Sequence, residues 1–469
     1  MREAGPAVIQ LEFNELSPTL MDKFIEEGKL PWFKKLRDES MVLVTEAAER
    51  APDLDPWIQW VTVHTGLDLA EHGVTELDKG HLLDCDRVWD LVSASGKSVW
   101  VCGSMSTAYR QPLNGYLMPD PWTVHVAPYP EEIVGFCNFV QRNVQEYTND
   151  RVPLGASDYA AFVAFLVSHG LSFATATATV QQLLREKSRG QRWKRAVILD
   201  KLQFDVFANI YRKIRPAFST FFLNSTAHYQ HFYWRNMEPE QFKIKPPQEE
   251  NLEYGEAILF GYQEMDRLVG RFLELAGTDA TIVLATALSQ QACVVYEEAG
   301  GKKIFRPREF DAALDFIGVQ RPYRVCPVMS NQFHVDFETE AEAAAANDLL
   351  GRVRVLDQAA MNSHREGKVV LAGAQMFGEP NAETLIEIVG TDKKGRFFDY
   401  FYQIEGLKSG MHHEDGIFWI RTPQRHHWIA EEKVPLRAVA PTVLDLLNLP
   451  KPAYMKGESV LAQRASAVV

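Results

Sequence analysis

Cysteine is scarce in this chain: five of 469 residues, Cys85, Cys102, Cys137, Cys293 and Cys326, with no CxxC pair among them. A scattered, odd set excludes a disulfide framework and suits buried thiols in a reducing compartment. No window of about 18 uncharged apolar residues exists, so no membrane span is expected. The start, Met1-Arg2-Glu3, lacks the basic and apolar regions of a secretion signal, and a cytoplasmic location is expected. Positive charge is also short, with 49 Lys and Arg against 62 Asp and Glu, a net charge of −13. That deficit argues against partners such as nucleic acid or an anionic membrane. It leaves room for a local pocket that takes a small anionic substrate.

With 46% hydrophobic and 24% charged residues, the chain can build at least one complete core. Short apolar runs alternate with helix-like segments. Ala7–Glu12 precedes a helical Ser17–Asp38, and Asp86–Ser95 precedes a strand at Ser98–Cys102. Phe218–Leu223 and Thr281–Ala285 are further buried strands, the second preceded by a helical Tyr262–Ala276, with Val369–Ala372 and Ile417–Ile420 as two more candidates. This alternation predicts an α/β fold, a doubly wound and mainly parallel sheet covered on both faces. Its core is expected over residues 1–129, 216–305 and 407–469. Residues 130–215 read as a helical insertion with a solvated basic run from Lys187 to Arg195. Residues 306–406 read as a small α+β insertion: a strand over Tyr323–Val335, a helix over Glu340–Leu350 and a strand over Val353–Leu356.

In such sheets the chemistry sits on loops leaving the carboxyl ends of strands. Four segments answer to that description. The first strand stops on the acidic stretch Glu12-Phe13-Asn14-Glu15. Asp55-Pro56 then reads as an N-cap and first-turn pair for a helix that ends near Gly66, and its free N–H groups would suit an anion. His64, flanked by Val63 and Thr65, reads as a packed histidine. After Phe218–Leu223 come His228 and His231, three apart and able to share one side of a helical turn. Gly410-Met411-His412-His413 reads as a histidine-rich turn before Ile417–Ile420.

Taken in order, these segments resemble the alkaline phosphatase superfamily, in particular its type I phosphodiesterase/nucleotide pyrophosphatase branch and sulfatase-like relatives. The resemblance rests on Thr65-Gly66, on Glu71-His72-Gly73-Val74, on Leu113 to Asp120, and on the closing segment from Val434 to Pro450. It implies two metal ions, usually zinc, held by Asp and His on strand-end loops. This chain departs from that pattern. Glu12 stands for the first Asp, and Asp55 or Pro56 stands at the Thr/Ser nucleophile. Ala227 replaces the Asp four before His231, and Thr286-Ala287-Leu288 replaces an Asp-His-Gly; only the last histidine, His412, is intact. The resemblance therefore implies a degenerate two-metal site.

The expectation is a hydrolase or group transferase for a phosphate or sulfate ester, phosphodiesterase-like, with one divalent ion (Zn, Mn or Fe) on Glu12, His231 and His412. Asp55, His228 and His231 are the catalytic candidates. Asn14, Trp57, Gln59 and Arg235 are the substrate-binding candidates. Two alternatives stand beside it: an inactive binding or scaffold protein of the same fold, and a metal-free enzyme of different chemistry with His231 as general base.

Overall fold

Ala7–Phe13 (AVIQLEF) is buried along nearly its whole length, which only a strand in the middle of a sheet covered on both faces achieves. It runs parallel to Phe218–Leu223 on one side and to Ala280–Ala285 on the other. In this computed structural model, which describes residues 6–149, 154–189, 191–404 and 406–462, nine strands form that sheet. Beyond Phe218–Leu223 come Val99–Cys102 and then Gly115–Met118, both parallel. Beyond Ala280–Ala285 comes Asp415–Arg421, antiparallel, and then Met41–Glu46, with Trp428–Ile429 and Val434–Pro435 as short edge pieces. Residues 1–5, the side chains of 187–190 in the basic run and the last residues from 463 lie outside the described residues.

Strand parity divides the core. Ile9, Leu11 and Phe13 face a cluster that includes Phe24, Phe33, Phe207, Tyr262 and Phe272. Val8 faces the other, which includes Trp60, Trp89, Val439 and Val443. On this second face lies the Pro56–Thr65 helix, begun by Pro56 at its first turn and ended at Gly66, whose φ of 68° is the left-handed cap that glycine adopts without strain. A side chain there would press on the Arg437 carbonyl, Pro441 and Met455, so this helix seats against the closing turn and the Val439–Leu446 helix.

Several elements differ from the sequence reading. Ser17–Asp38 is two helices, Pro18–Glu26 and Pro31–Asp38, because Gly28 turns left-handed (φ 69°) and Pro31 restarts the helix. Tyr323–Val335 is a hairpin of Arg324–Pro327 and Gln332–Asp336, reversed near Ser330 (φ 62°). Val369–Ala372, within the expected insertion, is part of Val369–Phe377, the centre of a second, six-stranded sheet that begins slightly earlier than expected, at Lys302–Pro307. This sheet, a four-stranded companion and the Glu340–Leu350 helix share their own core around Phe305, Phe333, Val335 and Val370. The helices Val134–Asn149, Ala156–Ser168 and Ala196–Ile214 pack over the Gly115–Met118 side, and Phe173–Arg189 lies against Ala196–Ile214. Finally, Gly410–His413 is not a turn: it pairs antiparallel with Ser289–Ala292 in a two-stranded ribbon.

Candidate functional site

Phe218–Leu223, Ala7–Phe13 and Ala280–Ala285 are adjacent and parallel, so their carboxyl ends open on one edge. The loop after the first strand is tied across that edge. The Asn14 N–H donates to the Leu223 carbonyl (3.0 Å) and the Glu15 N–H to that of Thr286 (3.3 Å). Glu15 has φ 63°, a conformation few non-glycine residues adopt, and it sits 2% exposed. Asn14 fixes the surroundings. Its Nδ2 donates to Glu15 Oε1 and to Asn224 Oδ1, both at 2.7 Å, and its Oδ1 accepts from Trp60 Nε1 at 2.7 Å. Gln230 Nε2 donates to the Glu15 carbonyl (2.7 Å) and is itself held by the Tyr262 hydroxyl (2.9 Å).

Two imidazoles close on this carboxylate. Glu15 Oε2 lies 3.2 Å from His231 Nε2 and 3.5 Å from His412 Nε2, and it accepts from Gln290 Nε2. One donor atom from each of Glu15, His231 and His412 falls within 4.8 Å of the others. Both rings direct Nδ1 outward: His231 to the Gly410 carbonyl (3.4 Å), His412 to the Leu54 carbonyl (2.7 Å) and to Asp55 Oδ1 (3.3 Å). The partner at Nδ1 thereby sets which nitrogen faces the centre. His231 comes from the Ser225–Met237 helix and His412 from the ribbon. The Ser409 N–H donates to the His231 carbonyl (2.8 Å), and any side chain at Gly410 would run into the Gln230 carbonyl.

Burial and charge oppose each other here. Burial would raise the Glu15 carboxyl, but the charges of His412 and His231 and their hydrogen bonds hold it well below the usual range. Burial pushes His231 down to about 4 against the pull of Glu15. His412 is buried too, yet Glu15 and Asp55 together lift it to about 9. At neutral pH the centre therefore holds an anionic Glu15, a cationic His412 and a neutral His231.

This arrangement fits a divalent cation. Two imidazole Nε2 atoms and one carboxylate form a nitrogen-oxygen donor set suited to Zn, Mn or Fe. His412 Nε2 is buried and reaches only Glu15 Oε2, at 3.5 Å, so it is not held by any closer acceptor among the described residues.

The other expected residues fall in several places. Glu12 is a correction: the strand continues through Phe13, so Glu12 points into the face under the Pro56–Thr65 helix. There it is 0% exposed, 2.9 Å from His64 Nε2 and 2.8 Å from Gln10 Nε2. His64 stacks on Trp60 and is a packed histidine. Asp55 begins its helix, but its side chain makes no cap hydrogen bond and turns to His412 instead. Trp57 donates to the Thr75 carbonyl (2.8 Å) within the core, and Gln59 is fully buried, so neither presents a side chain at the helix start. Arg235 is bound to Glu250 (2.9 Å), away from the centre. His228 lines a neighbouring cavity.

Sequence reasoning did not place Glu15 beside the two histidines, nor Gln290 and Gln230 as its supports. Strand parity was the available signal for Glu15: beyond Phe13, the loop offers Asn14 and Glu15. The two glutamines carry no sequence signal, because their place follows from the ribbon pairing and the helix it packs on.

Among the described residues, no helix is long and apolar enough to cross a membrane. No known protein-family profile matches the chain, and no curated protein matches it. Among solved structures it is similar to murine ectonucleotide pyrophosphatase/phosphodiesterase 5, inactive and in complex with AMP. That match has 9% identity and a TM-score of 0.45, and covers 98% of this chain and 99% of that one. The murine protein in a second structure (9%, 97% and 98%, TM-score 0.45) and the human one (9%, 97% and 98%, TM-score 0.43) are similar to it in the same way.

Proposed function

We propose that the protein is a metal-dependent hydrolase or group transferase for a phosphate or sulfate ester of a small anionic molecule. One divalent transition ion, Zn, Mn or Fe, would be held by Glu15, His231 and His412. The observation that carries this reading is the convergence of those three donor groups where parallel strands end. A bound ion supplies Lewis acidity toward ester oxygens and the means to activate water at neutral pH.

The chain's own groups do the rest. Asp55 orients His412 through Nδ1, the role that outer carboxylates play for metal-binding histidines. Asn14 and Gln290 hold the two oxygens of Glu15, which fixes the direction of its lone pairs. His228, on the cavity side of its helix, is placed to pass a proton to a leaving group lodged there.

Elemental analysis of the purified protein, with esterase assays after loading Zn, Mn or Fe, tests the reading. One ion per chain is expected, lost in Glu15→Gln and His231→Ala, with hydrolysis dependent on it. A protein that takes up no ion, and gains no thermal stability from any of the three, would sink it. A metal-free reading has one observation in its favour: Glu15 and His412 already balance each other's charge, beside a neutral His231 able to accept a proton. Activity that survives exhaustive chelation would select that reading.

A further inference from the structure

A second group of donors, sharing no residue with the Glu15 centre, lies where the segment after the Leu69–His72 helix meets the second sheet. His334 and His364 come from the strands Gln332–Asp336 and Met361–Glu366, which flank Val369–Phe377, and both pair in register with its Leu371. Residues opposite one another on antiparallel strands share a face, and Glu366 joins His364 there by the period of two. Glu76 reaches the same face from the loop before the second sheet is even begun in the chain.

One donor atom from each of Glu76, His364 and Glu366 falls within 4.8 Å of the others. His334 joins them through Nε2, 3.6 Å from Glu76 Oε2, and His364 Nε2 lies 3.6 Å from Glu366 Oε1. Both separations are too long for hydrogen bonds. They are close to the edge, about 3.4 Å, of a tetrahedron with metal–ligand bonds of about 2.0–2.1 Å.

His334 is the buried member, 3% exposed, and neither of its ring nitrogens makes a hydrogen bond among the described residues. Leaving a buried polar group so is costly, and a cation at Nε2 would remove the cost. Asp78 Oδ2 faces the opposite nitrogen, Nδ1, at 4.0 Å, the place of an outer carboxylate behind a metal-bound histidine. Lys79 (3.6 Å) and His125 (3.9 Å) also approach Asp78, but no lysine or arginine pairs with Glu76 or Glu366 among the described residues.

We propose that Glu76, His334, His364 and Glu366 hold a zinc ion that ties the loop around Glu76 to the second sheet. Two imidazoles select against Ca and Mg, which take oxygen ligands, and two carboxylates balance the charge of the ion. Glu366 also lines a cavity of about 520 Å³ together with His72 and Lys79, which gives the ion a way in. His364 and Glu366 are exposed, so this ion exchanges with the medium and is lost on dialysis, whereas the buried Glu15 centre keeps its own. The site is independent of the ester chemistry read above.

The test is calorimetric titration of the full-length protein with Zn alone, after chelation and dialysis. Wild type is expected to take up two ions and His231→Ala one, the one held here. In the His231→Ala background, His364→Ala and Glu76→Gln should each weaken Zn at least about tenfold, and His125→Ala should not. X-ray absorption of the singly loaded His231→Ala protein should show two imidazoles on zinc. Binding that survives both His364→Ala and Glu76→Gln, binding weakened instead by His125→Ala, or a zinc shell without imidazole would overturn the proposal. His364 is exposed, so its loss does not endanger the fold, and the stoichiometry in His231→Ala needs no variant at this site. A single wild-type ion that disappears in His231→Ala keeps the Glu15 centre and rejects this one. A single ion that persists in His231→Ala and is lost with His364→Ala does the reverse.

Discussion

His412 and Asp55 meet at 3.3 Å, Nδ1 to Oδ1, although one sits on the ribbon near the end of the chain and the other at the start of the Pro56–Thr65 helix. The contact takes Asp55 away from helix capping and makes it part of the centre. Asp55→Asn should leave the fold intact, since no cap hydrogen bond is lost. It should weaken ion binding by about 10- to 100-fold, as loss of an outer partner does. Calorimetric titration of the metal-free variant with Zn measures this, and wild-type affinity would mean that Asp55 does not orient the ring.

Ion binding should tighten with pH. His412 is lifted to about 9, so at neutral pH it must give up a proton before Nε2 becomes a donor. Affinity is expected to rise from pH 7 to pH 9, with about one proton released per ion. Titrations in buffers of different ionisation enthalpy count that proton.

The metal-free protein should be most stable near pH 6.5. His231 is pushed down to about 4 in the fold against 6.5 ordinarily, so as pH falls the unfolded chain takes the proton first. Its contribution, about 3 kcal/mol at most, is present above pH 6.5 and lost between there and pH 4. His412 has the opposite sign: its contribution is full below pH 6.5 and lost as pH rises through about 9. Urea melts at pH 5, 6.5 and 8.5 should show both limbs, and His412→Gln should flatten the alkaline one alone.

The two glutamates near the first strand's end should separate cleanly. Glu12→Ala removes the hydrogen-bond partner of the buried His64 Nε2 and should cost roughly 1–3 kcal/mol, while the folded fraction still binds its ion. Glu15→Gln should abolish ion binding at a smaller cost in stability. Denaturant melts paired with elemental analysis distinguish them; loss of the ion in Glu12→Ala alone would show that the centre is misassigned.

Gly410→Ala tests the ribbon. A methyl group would meet the Gln230 carbonyl, so the strand bearing His412 must shift. A lower thermal midpoint together with weaker ion binding is expected, whereas the same change at Gly390, open on all sides but at φ 84°, should lower the midpoint alone.

The sheet was legible because burial imposes its pattern directly. Phe218–Leu223 is mostly apolar in sequence and buried throughout, Ser219 and Thr220 included, and the Pro56–Thr65 helix announces itself with a proline at one end and a glycine at the other. His231 and His412 were legible as loop-end histidines, and the structure joins them. Of the two glutamates, Glu15 and not Glu12 faces these histidines, because Glu12 is still within the strand and points to the opposite face.

The central place of Ala7–Phe13 also sets a timetable. This strand is made long before both its partners, Phe218–Leu223 and Ala280–Ala285. Until then its apolar edges have no native neighbour, the kind of long-range pairing that folds slowly and aggregates when delayed. Glu15 waits longer still, because His412 is made after all three of these strands. A nascent chain stalled before residue 412 would thus hold most of the sheet and none of the completed centre.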